Sequence, residues 1–189
     1  MNSSATMGYR IWFGLGIMLS LCVGGVAQAA EHRHNVVLLV LDTLRADHLG
    51  VYGYERPTSP HIDAFARRST RYKRAEATSP WTLPSHASMF TGLNPNQHGA
   101  ISYMVQEKKN NTIPLHERFT TIAEVLANQG YDTAAFVAND AYLHSRHGLA
   151  QGFDTYDLDR EMGAERNADA LAWLANRSSE KPFFLFINY

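Results

Sequence analysis

The chain has 189 residues, of which 45% are hydrophobic and 19% are charged, and its formal net charge is −1 at pH 7. These values describe a globular protein that is long enough to bury a core, and they exclude an intrinsically disordered chain. The near-neutral charge gives no indication of a nucleic-acid partner or of an acidic lipid surface.

The first 29 residues are typical of an export signal. Arg10 precedes an apolar stretch over residues 11–26, and residues 27–29 (Ala-Gln-Ala) form the small-x-small pattern of a cleavage site. We therefore predict cleavage after Ala29, a periplasmic or secreted protein, and no stable membrane span once the signal is removed. A retained membrane anchor is the alternative. Cleavage would also remove Cys22, the only cysteine, so that neither a disulfide nor a thiol ligand would remain.

After the signal, the sequence predicts a strand followed by a helix. Residues 35–41 form a continuous apolar run that ends at Asp42, which predicts a central strand covered on both faces. Pro60 marks the first position of a predicted helix, with Ile62 and Phe65 on one face.

Two further helices are predicted in the middle of the chain. Residues 84–90 have helical character, and Gly92 provides the stop signal. Thr121 and Glu124 have the spacing of a capping box, which predicts a helix start, and Gly130 marks the end of that helix. The side chains predicted to face inward from it are Ile122, Val125 and Leu126.

The last part of the chain predicts a strand over residues 133–138, a helix over 164–176 and a buried strand over 182–189. The apolar stripe predicted for the helix consists of Ala168, Leu171, Ala172 and Leu174. This alternation predicts an α/β fold, a mostly parallel sheet with helices on both faces. Since the chain ends within a predicted buried strand, we expect residues 30–189 to be the N-terminal part of an incomplete catalytic domain.

Five basic residues lie within eight positions after the first predicted helix, namely Arg67, Arg68, Arg71, Lys73 and Arg74. A solvated helix end followed by an edge strand is the favoured interpretation, and a binding patch is the alternative. Both interpretations place these side chains on the surface.

Two polar residues stand where an α/β protein carries its chemistry. Asp42 follows the first predicted strand, and open α/β sheets bind ligands at the carboxyl ends of their strands. A carboxylate there suits a hard divalent cation, and a turn or helix cap is the alternative.

Thr82 lies just ahead of Pro84, near the positive end of a predicted helix, where free N–H groups favour sulfate or phosphate. A metal ion alongside would activate the hydroxyl as a nucleophile. The alternative is a threonine that only caps the helix.

The longest pattern in the chain is a series of short segments that resembles the opening of the sulfatase family. Its main segments are residues 42–50, 57–63, 84–92 and 151–154, in the family's order and approximate spacing. The likeness covers nearly everything from Asn35 to Tyr189. The resemblance implies the alkaline-phosphatase-like α/β fold and hydrolysis of sulfate or related esters on a small or polymeric substrate. It also implies a divalent cation, which is usually calcium (Ca²⁺) in sulfatases.

Carried over by position, the resemblance implies roles for individual residues. Asp42 falls on the first metal-binding aspartate, and Thr82 falls on the nucleophile position, where it would also contact the metal. His86 stands where the family signature has an arginine. Its place one turn into the predicted helix makes it a candidate anion contact or general acid, and a structural histidine is the alternative. Two positions depart from the pattern. Thr43 replaces a second metal-binding aspartate, and Thr82 replaces the cysteine or serine that sulfatases convert to formylglycine.

The resemblance leaves several hypotheses open. Related phosphodiesterases and phosphoethanolamine transferases use threonine directly, which favours an exported hydrolase of sulfate or phosphate esters with an unmodified Thr82. A transferase of a phosphoryl-linked headgroup is the second hypothesis, but such enzymes usually carry several membrane spans. A non-catalytic remnant is the third, because the family's remaining metal ligands would lie beyond Tyr189.

Overall fold

The computed structural model describes residues 33–105, 109–160, 163–177 and 180–189. Its strands are β1 (Val36–Val40), β2 (Ile101–Val105), β3 (Lys109–Ile113), β4 (Asp132–Val137), β5 (Thr155–Leu158) and β6 (Phe183–Asn188). Its helices are α1 (Pro60–Ala66), α2 (Thr82–Thr91), α3 (Pro95–His98), α4 (Ile122–Asn128), α5 (Asp140–Leu143) and α6 (Ala164–Asn176). The predicted signal, residues 1–29, lies outside the described residues. Within the described ranges, every helix is too short or too polar to cross a bilayer.

Four parallel strands form the main sheet in the spatial order β1–β6–β4–β5. β6 lies between β1 and β4, and its last residue, Asn188, is level with Val40 on one side and with Val137 on the other. These three strands therefore end at the same edge of the sheet. The predicted α/β fold with a parallel sheet is confirmed, and the residues that follow β1, β4 and β6 come together at one edge.

Helices pack on both faces of this sheet. On one face, Leu83 and Phe90 of α2 belong to the same core as Phe184 and Phe186 of β6. Phe90 meets Phe186 edge to face, with ring centroids 5.0 Å apart. Burial of each such side chain contributes about 1.5–3 kcal/mol. The buried face of α2 thereby fixes where the first residue of that helix lies.

β1 departs from its prediction as a central strand covered on both faces. It is an edge strand of the described sheet, and its side chains alternate in exposure, with Val37 at 51% and Leu39 at 59%. The reason is that α6 packs over β4 and β6 on that face, through Trp173 and Leu174. Among the described residues, that face of β1 has no covering helix.

Two helices are rotated relative to their predicted apolar faces. In α4, Ile122 and Val125 are exposed, and Ala123 is buried instead. The N-terminus of α4 packs closely on Gly152, where an added Cβ would lie 2.2 Å from the Glu124 nitrogen. Between α4 and Gly152 there is therefore room only for a small side chain. The predicted inward positions are wrong for Ile122 and Val125.

In α6, the buried residues are Arg166 and Ala170, whereas Leu171 is 64% exposed. Ala168 and Ala172 of the predicted stripe are also exposed, and Leu174 packs partly against the core. Arg166 faces the interior because its guanidinium forms ion pairs with Asp157 and Asp169.

The structure also contains elements that the sequence did not predict. They are the antiparallel hairpin β2–β3, the single-turn helices α3 and α5, and the short strand β5. Each is too short to establish a hydrophobic period in the sequence. Conversely, residues 69–80 contain neither helix nor strand, so the edge strand expected after α1 is wrong.

Candidate active site at the carboxyl edge of the sheet

The carboxylate of Asp42 lies at the carboxyl end of β1. The backbone nitrogen of Asp42 donates to the Tyr189 carbonyl at 3.0 Å, which continues the pairing of β1 with β6 beyond the strand ends. One carboxylate oxygen, Oδ2, accepts hydrogen bonds from Thr82 Oγ1 at 3.3 Å and from Asn139 Nδ2 at 3.0 Å. The fold therefore brings Asp42 and Thr82 into contact although they are 40 residues apart.

Thr82 is the first residue of α2 and does not cap it. The cap position is Trp81, which makes no side-chain capping bond, and the Thr82 hydroxyl donates to Asp42 instead. The alternative of a plain capping threonine is therefore wrong, and the helix begins two residues before Pro84. Because Pro84 has no N–H, the groups without an acceptor inside the first turn are the N–H of Thr82 and of Leu83. They place positive potential next to the hydroxyl.

His86 is held inside the protein, one helical turn beyond Thr82. Its Nδ1 lies 2.8 Å from the Thr82 carbonyl oxygen and must carry the proton, since a carbonyl only accepts. Its Nε2 then accepts from Asn188 Nδ2 at 3.5 Å. The ring is 3% exposed, and its burial lowers the pKa of His86 below 6.5, so the imidazole is neutral at pH 7.

These contacts bear on the roles that the sequence suggested for His86. Both ring nitrogens already have partners in the interior, and Phe90 and Phe186 lie edge-on to the ring. The side chain therefore holds the backbone at Thr82 and the amide of Asn188. In the described structure it is placed to position Thr82 more than to contact an anion.

A cavity of about 560 Å³ opens at this edge of the sheet. Its lining consists of Asp42, Thr43, Ala138, Asn139, Asp140, Ala141, Arg160, Asn188 and Tyr189. Thr82 and His86 are outside this lining, and Thr82 reaches it only through Asp42. Arg160 pairs with Asp140 at 2.7 Å, and this hydrogen bond lowers the pKa of Asp140. The cavity thus has one cation beside two carboxylates.

Asn139 is a site residue that the sequence reading missed. It follows β4 as Asp42 follows β1, so the same strand-end rule could have found it. Its Oδ1 accepts from the Tyr142 backbone nitrogen at 3.1 Å, as the cap of α5. That bond fixes which side of the amide faces inward, and it leaves Nδ2 as the donor to Asp42.

Thr43 has an unusual backbone. Its φ of 60° lies in the left-handed region, where a β-branched residue is strained. The turn is closed by a hydrogen bond from the Leu44 nitrogen to the Leu41 carbonyl, at 3.3 Å. The strain therefore falls on the residue directly after Asp42.

The residues at this edge fit part of a divalent-cation shell. Asp42 Oδ1 accepts no hydrogen bond from the described residues, and the buried Oδ1 of Asn188 has no partner there either. Both side chains line the same cavity. A calcium ion takes about six to eight oxygen ligands. Within the described ranges, no three His, Cys, Asp or Glu side chains lie close enough to share an ion. These groups alone therefore do not complete a calcium shell.

His98 has a structural arrangement. Its Nδ1 accepts from the Ala100 nitrogen at 3.0 Å, which makes Nε2 the donor to Ser88 Oγ at 3.0 Å. A ring that donates to the hydroxyl cannot also take a proton from it, so this pair is not a nucleophile with its base.

The parallel sheet with helices on both faces places the chain in the class of alkaline-phosphatase-like α/β folds, since a solved structure of that superfamily from Vibrio parahaemolyticus superposes with a TM-score of 0.57 at 20% identity. Within that class, the sulfatase model matches residues 34–189, and the chain belongs to the sulfatase family.

Individual relatives agree with this assignment. The chain is 33% identical to arylsulfatase A of Bos taurus over 105 residues, which cover 56% of this chain and 20% of the relative. It is 28% identical to the Δ4,5-hexuronate-2-O-sulfatase of Bacteroides thetaiotaomicron over 180 residues, which cover 90% of this chain and 36% of the relative. The chain thus spans about a fifth to two fifths of the length of the curated relatives it matches.

A solved structure gives the same fold. The phosphonate monoester hydrolase of Agrobacterium radiobacter superposes with a TM-score of 0.64 at 20% identity. The superposition covers 83% of this chain and 40% of that one.

Proposed function

We propose that this protein is an exported, metal-dependent hydrolase of sulfate esters in which Thr82 is the nucleophile. The observation that carries the proposal is the hydrogen bond from the Thr82 hydroxyl to the Asp42 carboxylate, at the N-terminus of α2. An attacking oxygen, a carboxylate and a positive helix end meet there, which is the combination that transfer of an anionic group needs. Phosphate esters are the related substrate class.

The proposed reaction has two steps. Thr82 Oγ1 attacks the sulfur of the ester as the sulfur–oxygen bond to the alcohol breaks, and the alcohol leaves with the hydroxyl proton. Water then attacks the sulfur of the sulfated threonine, which releases hydrogen sulfate and restores the hydroxyl. Asp42 holds the hydroxyl in line through Oδ2, and the N–H groups of Thr82 and Leu83 stabilise charge on the sulfate oxygens.

We assign Asp42 and Thr82 as ligands of a divalent cation, with calcium as the expected ion. Among the described residues, Oδ1 of Asp42 and Oδ1 of Asn188 have no hydrogen-bond partner. Both support this assignment, because hard cations prefer carboxylate and amide oxygens. When bound, such an ion supplies positive charge that favours ionisation of the hydroxyl and offsets the charge of the ester.

His86 has an indirect part in this proposal. Its contacts to the Thr82 carbonyl and to Asn188 tie the first turn of α2 to the end of β6. A neutral, buried imidazole fixes the hydroxyl relative to the sheet edge without adding charge near the anion. We therefore assign His86 as a positioning residue.

The proposed substrates are sulfated sugars, and the proposed location is the periplasm or the exterior of the cell. The name of the Bacteroides relative specifies a sulfate on a hexuronate ring. The signal pattern of residues 1–29 supports export, where such sugars are met.

Covalent trapping tests the nucleophile directly. Protein from the native host is quenched with acid during turnover of a sulfate ester, and the peptide that contains Thr82 is weighed. It is expected to carry one sulfate after turnover and no modification beforehand, since the threonine is sulfated only in the reaction. A sulfated peptide elsewhere in the chain, with Thr82 unmodified, would refute the assignment.

Asn139 is expected to affect the rate through its hydrogen bond to Asp42 and not through contact with the substrate. Asn139→Ser keeps an oxygen for the α5 cap but removes the donor to Asp42, and kcat/KM is expected to fall about 10–100-fold. Asn139→Asp also keeps the cap, but it places a second carboxylate beside Asp42. The two carboxylates repel each other, so kcat/KM is expected to fall for this variant as well.

Matched measurements separate this role from a structural one. Both variants should melt within a few degrees of the parent, because the cap of α5 is preserved. An Asn139→Asp enzyme with the parent's kcat/KM would mean that Asn139 only caps the helix.

A further inference from the structure

The five basic residues Arg67, Arg68, Arg71, Lys73 and Arg74, here called the basic surface, are all exposed. Within the described ranges, none of the five lies within 4.0 Å of a carboxylate as an ion pair. The remaining chain has 12 Lys and Arg (17 less these five) against 18 Asp and Glu. A concentrated positive charge therefore stands on a chain that is otherwise acidic.

Two of these cations are held in place by their neighbours. Arg71 donates to the Val51 carbonyl and lies over the Tyr52 ring, with its guanidinium carbon 5.6 Å from the ring centroid. The Tyr52 hydroxyl in turn donates to the Tyr72 carbonyl at 2.9 Å. Arg68 lies over the Phe65 ring at 5.5 Å. These contacts organise the surface, because a guanidinium stacked on a ring loses less freedom on binding.

The basic surface borders a recess of about 510 Å³. Its lining includes Arg67 and Arg71 together with Asp63. The Asp63 carboxylate is already engaged, since it accepts from the Val51 nitrogen at 2.7 Å and from Ser59 Oγ at 3.1 Å. Two guanidinium groups thus face the recess with their hydrogen-bonding capacity largely available. Arginine binds sulfate and phosphate groups in this way, through paired N–H donors.

Aromatic rings are exposed beside these cations. Tyr72 is 71% exposed, Phe65 is 61% exposed and Tyr52 is 41% exposed. Sugar rings present apolar C–H faces that pack on aromatic rings by dispersion. A surface that combines cations with exposed aromatic rings therefore matches a chain of sugars that carries anionic groups.

We infer that the basic surface is a docking site for a sulfated polysaccharide, separate from the edge of the sheet where Thr82 lies. Binding of the polyanion follows from the charge and the rings of this surface alone. Its identification as a saccharide and not as a nucleic acid rests on the proposed function. The surface would hold the polymer while one of its sulfate groups reaches the catalytic edge.

The test is binding of the full chain to heparin, with uncharged dextran and single-stranded oligo(dT) as comparison polymers. We expect heparin to bind, dextran not to bind, and the heparin Kd to weaken at least tenfold between about 50 and about 200 mM salt, as screening predicts. The double variant Arg67→Gln/Arg71→Gln is expected to weaken heparin binding by roughly a hundredfold, about tenfold for each lost charge.

Matched variants control for net charge and for folding. Arg118→Gln/Arg146→Gln removes two exposed charges elsewhere, and Arg118 is also stacked on an aromatic ring, at 4.7 Å. That double variant should bind heparin as the parent does. Arg68→Gln/Lys73→Gln, whose side chains make no hydrogen bonds to the described residues, provides a second test if Arg71 proves necessary for folding. Equal losses in the control and the test variants would overturn the inference.

The outcomes also separate this inference from the proposed function. Thr82→Ala is expected to bind heparin as tightly as the parent while it loses turnover. Turnover without heparin binding would refute the docking site alone. Binding of oligo(dT) as tightly as heparin, with the same loss in the Arg67→Gln/Arg71→Gln variant, would replace the polysaccharide by a nucleic-acid partner.

Discussion

Thr82→Ala is expected to abolish sulfate-ester turnover by the protein from its native host, with a loss in kcat on the order of 10⁶. Alanine removes the attacking oxygen altogether, and no other hydroxyl is hydrogen-bonded to Asp42 among the described residues. Thr82→Ser keeps the hydroxyl and loses only a methyl group, so it should retain a large part of the activity. Steady-state rates on one sulfate ester measure both effects.

The structure predicts that neither variant unfolds. Thr82 does not cap α2, and its side chain makes a single hydrogen bond, which contributes about 0.5–1.5 kcal/mol. Melting temperatures within a few degrees of the parent would confirm that any loss of rate is chemical. If Thr82→Ala turned over substrate at the parental rate, the catalytic assignment of this loop would fail.

Asp42→Ala is expected to cause a loss of rate of similar size and to weaken calcium binding. The carboxylate holds the Thr82 hydroxyl and offers the free oxygen at the cavity, so its removal affects both the nucleophile and the ion. Calorimetric titration with calcium gives a readout that does not depend on turnover.

Asp47→Ala is the matched control for this substitution. Asp47 is a nearby aspartate on the same connection, but it is exposed, and its ion-pair partner among the described residues is Arg45. Its variant should keep the parental affinity for calcium. Undiminished calcium binding by Asp42→Ala would show that the ion, if bound, is held by other groups.

The sequence predicted the fold class and two members of the site because their signals are local. A continuous apolar run marked β1, and Asp42 is simply the residue that follows it. Family segments located Thr82. That Thr82 and Asp42 share a hydrogen bond follows from tertiary packing, since α2 is fixed by burial of Leu83 and Phe90.

Asn139 and Asn188 could not be assigned in the same way. Each follows or ends an apolar strand, so the strand-end rule alone makes them candidates. Their relation to Asp42 depends on β6 lying between β1 and β4, which is a fact of strand order. The periodicity of a sequence specifies which residues face inward, but it does not specify which strands are neighbours.

Arg166 illustrates another limit of prediction from the sequence. Hydropathy treats arginine as a surface residue, yet Arg166 is 2% exposed. The carboxylates that compensate its charge are Asp157 on β5 and Asp169 one turn further along α6. A buried cation requires such partners. Asp169 is three residues away on the same helix, whereas the pair with Asp157 depends on how α6 packs beside β5.

Thr43 bears on the stability of the turn after β1. Aspartate tolerates a left-handed backbone better than a β-branched residue does. At a φ of 60°, Thr43 holds that conformation without this tolerance. Such strain costs on the order of 1–3 kcal/mol. The turn after β1 is therefore held at a cost in stability that an aspartate at position 43 would lower.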